Sequence, residues 1–381
     1  MKKIGILTFS YSSNPGSVLQ AYALQKNISQ LGDYDPTIIN YQKTRAGKPV
    51  IGKTVFYKPV RKWTLKKIIE WTLKIISYPV RMAKYERFFK RHYNHYPMQR
   101  YTRDNVTTIG DEYDAFVVGS DQVWNMKSIN VDYTYFLDFI KEGHKKISYA
   151  ASFGGQNVPE KIRSDVQTFI KDFESISVRE QIGVDIVSEL TGRQAEWVLD
   201  PSLLLDKEDY LKLAQSHRKR PCKQKYVLLY MRENSPELTA FAEKIAMQSN
   251  LKLIRIVRHW LCVAHKNIPV VAVGPEEWIN YMNNAECIVT NSFHGVCFSL
   301  TLEKEFYVGL LKQGLSHTNP RIESVIKQFN VENRQVDYSI INRDSYESID
   351  YAKVNETKKR KRKTSLEYLK NALERSVELD A

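Results

Sequence analysis

The residues best suited to chemistry follow an apolar stretch that ends in Thr290-Asn291-Ser292-Phe293-His294-Gly295. We predict that the apolar residues form a buried strand and that His294 and Gly295 open the next helix. An imidazole at a helix N-terminus, at the carboxyl edge of a sheet, can act as an acid, a base or an anion ligand. A lone histidine is often structural, but its place in a loop beside glycine favours a catalytic role.

A second polar strand end comprises Gly119-Ser120-Asp121-Gln122-Val123-Trp124-Asn125, directly after the apolar run that ends at Val118. Loops at the carboxyl ends of parallel strands are where ligands bind in open α/β sheets. Acidic and amide side chains with an aromatic face suit sugar hydroxyls and sugar rings. The alternative is a simple turn that Trp124 anchors.

Two further segments could bind an anion. Arg179 follows a short apolar run, and its planar guanidinium could hold a carboxylate or phosphate through two hydrogen bonds, or pair with Glu180 or another acid. The loop Ser10–Ser17 lies between the first strand and helix, where backbone N–H groups favour an anion. It lacks the glycine spacing of a dinucleotide site and the GK[ST] of a P-loop, so a turn capped by Ser17 is the alternative.

The elements that must position these residues alternate between strands and helices. Apolar runs typical of buried parallel strands are at Lys3–Phe9, Ala115–Val118, Ile147–Ala151, Ile176–Val178 and Trp197–Leu199. After Asp200-Pro201-Ser202 a second series begins, at Tyr226–Met231, Leu253–Val257, Val270–Val273, Cys287–Val289 and Phe306–Leu311. Helical patterns separate most of these runs, which favours two Rossmann-like α/β domains facing across a cleft.

We predict a domain over residues 1–205, with a basic helical insert at about 43–100, and a second domain over 206–335. Residues 336–381 form a helical extension that could return to the first domain. Its run Lys358–Lys363 is of the kind that usually forms only a solvated face.

Seven segments, taken in order, resemble the polysaccharide pyruvyl transferase family. They span roughly residues 3–330, and their joint spacing is far more specific than any one of them. They are Asn14-Pro15-Gly16-Ser17-Val18-Leu19-Gln20, Gly119–Asn125, Tyr149–Gly154, Ser177–Glu180, Asp200–Ser202, Thr290–Gly295 and Asn319–Ile322. The first segment carries Pro15 where the family commonly has Asn-Tyr/Phe-Gly.

The resemblance implies a fold similar to the glycosyltransferase B arrangement, phosphoenolpyruvate as donor, and a pyruvate ketal across two hydroxyls of one sugar. It makes His294 catalytic and Arg179 a donor ligand, joined by Lys312 or Arg321, and we add Asp121 as the group that orients or deprotonates the acceptor. Around His294, Ser292 and Gly295 are expected to contact the donor. The residues expected to contact the acceptor are Asn14, Gly16, Gln20, Ser120, Gln122, Trp124 and Asn125.

The formal net charge of +14 is concentrated between Lys43 and Arg91, where fifteen Lys and Arg residues stand against Glu70 and Glu86. Such a basic, aromatic-containing segment could lie on an anionic membrane surface, which would suit a lipid-linked acceptor. The alternative is a helix pair packed on the domain with a solvated basic face.

Other features bear on compartment and cofactors. The four cysteines form no CxxC pair, and no stretch has the roughly 20 apolar residues that span a bilayer, so we expect a reduced, cytoplasmic enzyme. We expect no metal and no cofactor besides phosphoenolpyruvate as co-substrate.

Two other functions stay open. A nucleotide-sugar glycosyltransferase of the same shape would need contacts to a base and ribose, which we do not recognise. A basic module that binds nucleic acid or a membrane is disfavoured, since no nucleic-acid-binding motif appears; we therefore expect no nucleic-acid partner.

Overall fold

A computed structural model of the chain describes residues 1–42, 44–45, 48–49, 65–96, 99–129, 132–155, 157–217, 221–257, 268–270, 272–312, 315–336 and 347–378. Most of the predicted basic insert before residue 65 lies outside these ranges, as does Cys262. Within them, no helix is both long enough and apolar enough to span a membrane.

We call residues 1–205 the N-terminal half and residues 206–336 the C-terminal half. Strands of the N-terminal half are β1 (Lys2–Leu7), β2 (Tyr34–Ile38), β3 (Asn40–Tyr41), β4 (Thr44–Arg45), β5 (Lys48–Pro49), β6 (Arg100–Tyr101), β7 (Ala115–Val118), β8 (Lys146–Ser148), β9 (Ser177–Val178) and β10 (Glu196–Trp197). Strands of the C-terminal half are β11 (Tyr226–Tyr230), β12 (Lys252–Ile256), β13 (Ile268–Val270), β14 (Cys287–Thr290) and β15 (Glu305–Val308).

The α-helices alternate with these strands. They are α1 (Pro15–Leu31), α2 (Leu65–His92), α3 (Met126–Ile129), α4 (Arg163–Lys171), α5 (Gln181–Thr191), α6 (Lys207–Leu213), α7 (Pro236–Gln248), α8 (Pro275–Asn284), α9 (Phe293–Thr301), α10 (Pro320–Gln328) and α11 (Tyr351–Glu378).

Each half is built around a parallel sheet. In the N-terminal half the strand order is β2-β1-β7-β8, and single bridges from Ile147 to Ser175 and from Ala151 to Val178 continue it towards β9 and β10. In the C-terminal half the order is β13-β12-β11-β14-β15, again parallel throughout. The central strands are buried on both faces, which explains their continuous apolar character. The predicted fold class, with two Rossmann-like units, is confirmed.

Helix α2 connects the two halves through its described carboxyl-terminal part. Tyr85, Phe88 and Phe89 are buried, while Lys84 pairs with Glu277 at 2.7 Å at the start of α8. The basic residues of α2 therefore serve in part as contacts within the protein. The structure does not describe the side chains of α2 before residue 77. Whether that part of the helix lies on a membrane surface or has a solvated basic face therefore stays a prediction.

Helix α11 crosses both halves. Near its start, Asn355 donates to Glu303 (2.7 Å), and further along Ser365 Oγ accepts from the Leu199 backbone N–H (2.9 Å). The run Lys358–Lys363 is only partly a solvated face, which corrects the prediction: Lys358 is buried and its Nζ donates to the Leu205 carbonyl oxygen (3.2 Å). The alkyl chain of a lysine packs readily on apolar surface, and here its ammonium finds carbonyl oxygen as well.

Candidate active site

The position of His294 follows from the residues that surround it in sequence. Thr290 ends β14 and its hydroxyl donates to the Tyr230 carbonyl oxygen of β11 at 2.7 Å. Ser292 precedes α9, and its hydroxyl accepts a hydrogen bond from the Gly295 N–H at 3.3 Å, a helix N-cap. Gly295 is needed for packing, because a Cβ there would lie 2.4 Å from Thr290 Oγ1. His294 is therefore held in the first turn of α9, as predicted.

Asn291 connects this turn to the neighbouring strand loop. Its Oδ1 accepts from the Arg232 N–H and its Nδ2 donates to the Glu233 carbonyl oxygen, both at 2.7 Å. The two loops at the carboxyl edge of the C-terminal sheet are therefore fixed to each other by one side chain.

His294 also lies at the boundary between the halves. The backbone of Gly16, in the first turn of α1, approaches so closely that a Cβ there would be 2.5 Å from Cβ and Cγ of His294. The residue is 5% exposed, and its Nε2 has no hydrogen-bond partner within the described ranges. Burial lowers the pKa of His294 to about 4, so its ring is neutral at pH 7.

Arg179 is surrounded by three carboxyl groups from the N-terminal half. Its Nη1 donates to Asp200 at 2.8 Å, its Nη2 to Asp121 at 3.3 Å, and its Nε lies 3.6 Å from Glu180 without a hydrogen bond. All four side chains are at most 6% exposed. The sequence left open whether Arg179 pairs with acids; the structure shows that it does. Its binding to a donor stays a prediction.

The three carboxyl groups differ in the direction of their pKa shifts. Burial is the largest single influence on Asp121 and Asp200 and opposes their charge, but Arg179 and the hydrogen bonds from Ser17 and Ser202 together hold the pKa of each below its ordinary value. Burial raises the pKa of Glu180, whose Oε1 accepts from the Ser152 hydroxyl. Asp200 is saturated, because Ser120 Oγ, Arg179 and Ser202 all bind its two oxygens at 2.6–3.0 Å.

Arg321 joins this cluster from α10. Its guanidinium lies 5.7 Å from the centre of the Phe293 ring, and that of Arg179 lies 4.2 Å from it. Burial, followed by the nearby charge of Arg179, lowers the pKa of Arg321 to about 10, which leaves it charged at pH 7. Arg321, rather than Lys312, is thus the basic residue that follows the histidine motif and reaches the cluster.

The structure corrects the prediction that Lys312 contacts the donor. Its side chain is 69% exposed, and its Nζ contacts Glu237 of α7 at 3.1 Å. A surface pair of this type is free to exchange with water, and it offers no buried anion site.

The loop after β1 reaches the cluster through a chain of polar groups. Asn14 Nδ2 donates to Ser17 Oγ (2.8 Å), and the Ser17 hydroxyl donates to Asp121 Oδ2 (2.7 Å). Ser17 is thus inside α1, which begins at Pro15, and it is not the helix cap that the alternative interpretation required. Gln20 is fully buried and donates to Thr8 Oγ1 (2.9 Å), so it supports the loop from within.

The structure also corrects the prediction for Trp124. It has no exposed surface, its indole donates to the Tyr135 carbonyl oxygen (3.0 Å), and its ring stacks on Phe136. It therefore belongs to the core, and the prediction that it contacts a sugar is wrong. Asn125 is equally buried, and its side chain donates to Gln122 Oε1 (2.7 Å). Gln122 itself is half-buried, whereas the other residues of Gly119–Asn125 are buried.

Sequence reasoning missed the part played by Asp200. Asp200-Pro201-Ser202 is predicted to end the first series and is one of the family segments, but the sequence assigns no role to Asp200, which follows β10 by three residues and lies at the same sheet edge as Asp121 and Arg179. Strand order would have been needed to bring them together. Across the residues that the structure describes, no group of three or more His, Cys, Asp or Glu is arranged to hold a metal ion.

A family model described as polysaccharide pyruvyl transferase matches residues 14–308. The chain belongs to that family. The match includes Asn14, Asp121, Arg179, Asp200 and His294, which the structure places in one network at the boundary of the halves. None of the functionally curated proteins matches the chain.

This pyruvyl transferase family member also has a low level of similarity to solved structures. UDP-GlcNAc 2-epimerase from Neisseria meningitidis bound to UDP-GlcNAc is 8% identical, with a TM-score of 0.45, and 97% of this chain and 99% of that chain are covered. Arabidopsis thaliana UGT89C1 complexed with quercetin is 12% identical, with a TM-score of 0.44 and coverage of 98% and 94%. Similarity this low carries nothing about activity.

Proposed function

We propose that the protein transfers the pyruvyl group of phosphoenolpyruvate to two hydroxyls of one sugar in a cell-surface polysaccharide precursor. Family membership supports the transferase activity, and one observation supports phosphoenolpyruvate as the donor. His294 has an unpartnered, buried Nε2 at the start of α9 and lies among Arg179 and Arg321. A group poised for proton transfer beside two guanidinium ions suits a small anionic donor.

The reaction balances without a further reactant. Two sugar oxygens form bonds to the central carbon of phosphoenolpyruvate, and the bond from that carbon to the phosphate oxygen breaks. The methylene carbon gains one proton and becomes a methyl group, while the second hydroxyl proton leaves with phosphate. Each step moves a proton, so the site must supply a group that exchanges protons near neutral pH.

His294 is the group that we assign to this exchange. It is neutral in the free protein, but a bound phosphate or carboxylate brings negative charge next to it and raises its pKa. Binding of the donor therefore favours protonation of His294, which then supplies the proton that the methylene carbon of the donor requires. After that transfer the neutral ring is ready to accept a proton from a sugar hydroxyl.

Asp121 has a different part in this proposal. Arg179 keeps its pKa below the ordinary range, so it is a weak base at neutral pH. It already accepts hydrogen bonds from Ser17 and Arg179, which fixes its orientation. We therefore assign it to orienting an acceptor hydroxyl rather than deprotonating it.

The acceptor, in this proposal, is an oligosaccharide on a lipid diphosphate at the inner face of the plasma membrane. The net charge of +14 supports approach to an anionic surface. Neither metal nor additional cofactor is required by the chemistry proposed.

The test combines binding with turnover. Phosphoenolpyruvate and a panel of nucleotide sugars are titrated calorimetrically into the wild type and into His294→Asn, and ketal formation is followed by the methyl signal in NMR. We expect phosphoenolpyruvate alone to bind, and His294→Asn to bind it while losing turnover by about 10³-fold. His95→Asn is the control, because His95 is 52% exposed and pairs with Asp35 at the surface. Binding of a nucleotide sugar without phosphoenolpyruvate would establish a glycosyltransferase instead.

A further inference from the structure

Arg232 is an exposed cation at the carboxyl edge of the C-terminal sheet. It lies two residues beyond the end of β11, the strand next to β14. In the part of the chain that the structure describes, its guanidinium has no carboxylate partner. An exposed arginine without an acidic partner can bind an anion, because its planar guanidinium matches phosphate and carboxylate oxygens.

The position of Arg232 is set by the histidine motif itself. Its backbone N–H donates to Asn291 Oδ1 at 2.7 Å, and Asn291 Nδ2 donates to the next carbonyl oxygen at 2.7 Å. Asn291 stands three residues before His294, in the turn that opens α9. The backbone of the arginine is therefore anchored to the turn that precedes His294, while its side chain is exposed to solvent.

The charges of the buried cluster show why such a cation is needed. Arg179 is paired with Asp200 and Asp121, which leaves Arg321 as the other cation of the buried cluster. Phosphoenolpyruvate carries up to three negative charges, more than this balanced set can compensate. The charge of Arg232 contributes, well after burial and Arg179, to lowering the pKa of Arg321, so Arg232 adds to the positive charge that acts on this cluster.

We propose that Arg232 binds the phosphate group of the donor at the rim of the site. The assignment rests on the proposed function and follows from how the products separate. The central and methylene carbons must meet His294, which is buried, whereas phosphate must leave to water. An exposed arginine anchored to the turn before His294 would hold the phosphate on the solvent side of the site, from which the phosphate departs.

Calorimetric titrations test this assignment. Inorganic phosphate, phosphoenolpyruvate and pyruvate are titrated into the wild type, Arg232→Gln, Arg232→Lys and Lys252→Gln. We expect Arg232→Gln to weaken phosphate and phosphoenolpyruvate by about 10-fold or more and to leave pyruvate within about 2-fold. Arg232→Lys retains the charge without the fork and should fall between. Lys252→Gln removes an exposed cation at the opposite edge of the same sheet and should match the wild type.

The outcomes separate the two proposals. Ketal formation by the wild type, with phosphate and phosphoenolpyruvate affinities unchanged in Arg232→Gln, would overturn the assignment of Arg232 and leave the proposed function intact. An equal loss for pyruvate would also overturn it, since that indicates a disturbed site rather than a phosphate ligand. A wild type that binds neither phosphoenolpyruvate nor phosphate would overturn both.

Discussion

The aspartates at one sheet edge of the candidate site and the imidazole at the other differ in how far their polar atoms are paired. At the N-terminal edge, Asp200 has both oxygens occupied, and Asp121 accepts from Arg179 and Ser17. At the C-terminal edge, His294 Nε2 is buried without a partner among the described residues. Buried polar groups are nearly always paired, and Arg179 Nε and Glu180 Oε2 are further exceptions at the N-terminal edge. The contrast is therefore between the paired carboxylates of Asp200 and Asp121 and the unpaired imidazole of His294.

The comparison indicates a division of labour. Asp200 and Asp121, with the groups that donate to them, form a paired network that holds its members rigidly, which suits the orientation of a substrate. An unsatisfied group keeps capacity for a ligand and for a proton. Substitutions at the N-terminal edge should therefore change mainly the free energy of unfolding. Substitutions at the C-terminal edge should change mainly how the protein takes up protons.

The largest effect should come from Asp200→Asn. Loss of this charge leaves Arg179 buried with weaker compensation, and breaking a buried ion pair costs about 3–5 kcal/mol. Urea unfolding followed by circular dichroism measures the change in the free energy of unfolding. Asp206→Asn serves as the control, since Asp206 is 59% exposed and its pair with Arg362 should contribute no more than about 1 kcal/mol. Equal losses in both variants would remove the basis for calling the cluster a rigid support.

A second effect depends on pH. The unfolded chain protonates His294 near pH 6.5, whereas the folded protein does so only near pH 4. Between these values the unfolded state binds more protons, so stability falls as the pH drops, by about 3 kcal/mol in total. His294→Asn should lack this part of the acid destabilisation, and His95→Asn should keep it. If the wild type and His294→Asn lose stability in parallel from pH 6.5 to 4, His294 is not a buried neutral group.

The smallest effect concerns the contact that joins the two edges. Gly16→Ala places a methyl group against His294 and should displace it, and a shift of about 1 Å at a reacting group costs about 100-fold in turnover. Gly110→Ala is the control, because the nearest atom to its new Cβ is 3.7 Å away. Unchanged ketal formation in Gly16→Ala would mean that the two halves separate freely at this point.

The sequence predicts the position of His294 at the C-terminal edge because the residues that hold it are its close neighbours in the chain. Thr290, Ser292 and Gly295 act on neighbours within one turn, so a strand that ends in these residues indicates where His294 lies. The N-terminal edge depends on strand order instead: Asp121, Arg179 and Asp200 meet only because three strand ends meet. Trp124 was misread because a tryptophan in a loop looks the same in sequence whether its ring faces a ligand or the core.

Helix α11 also determines when the N-terminal half can be completed during synthesis. Ser365 binds the backbone of Leu199, a partner 166 residues earlier, and Tyr368 binds the Ser148 carbonyl oxygen at the end of β8. Domains usually fold as the ribosome releases them, amino end first. Here the first sheet must wait, with one surface uncovered, until translation has passed the whole second sheet. The nascent chain is therefore expected to need protection from aggregation until α11 has emerged.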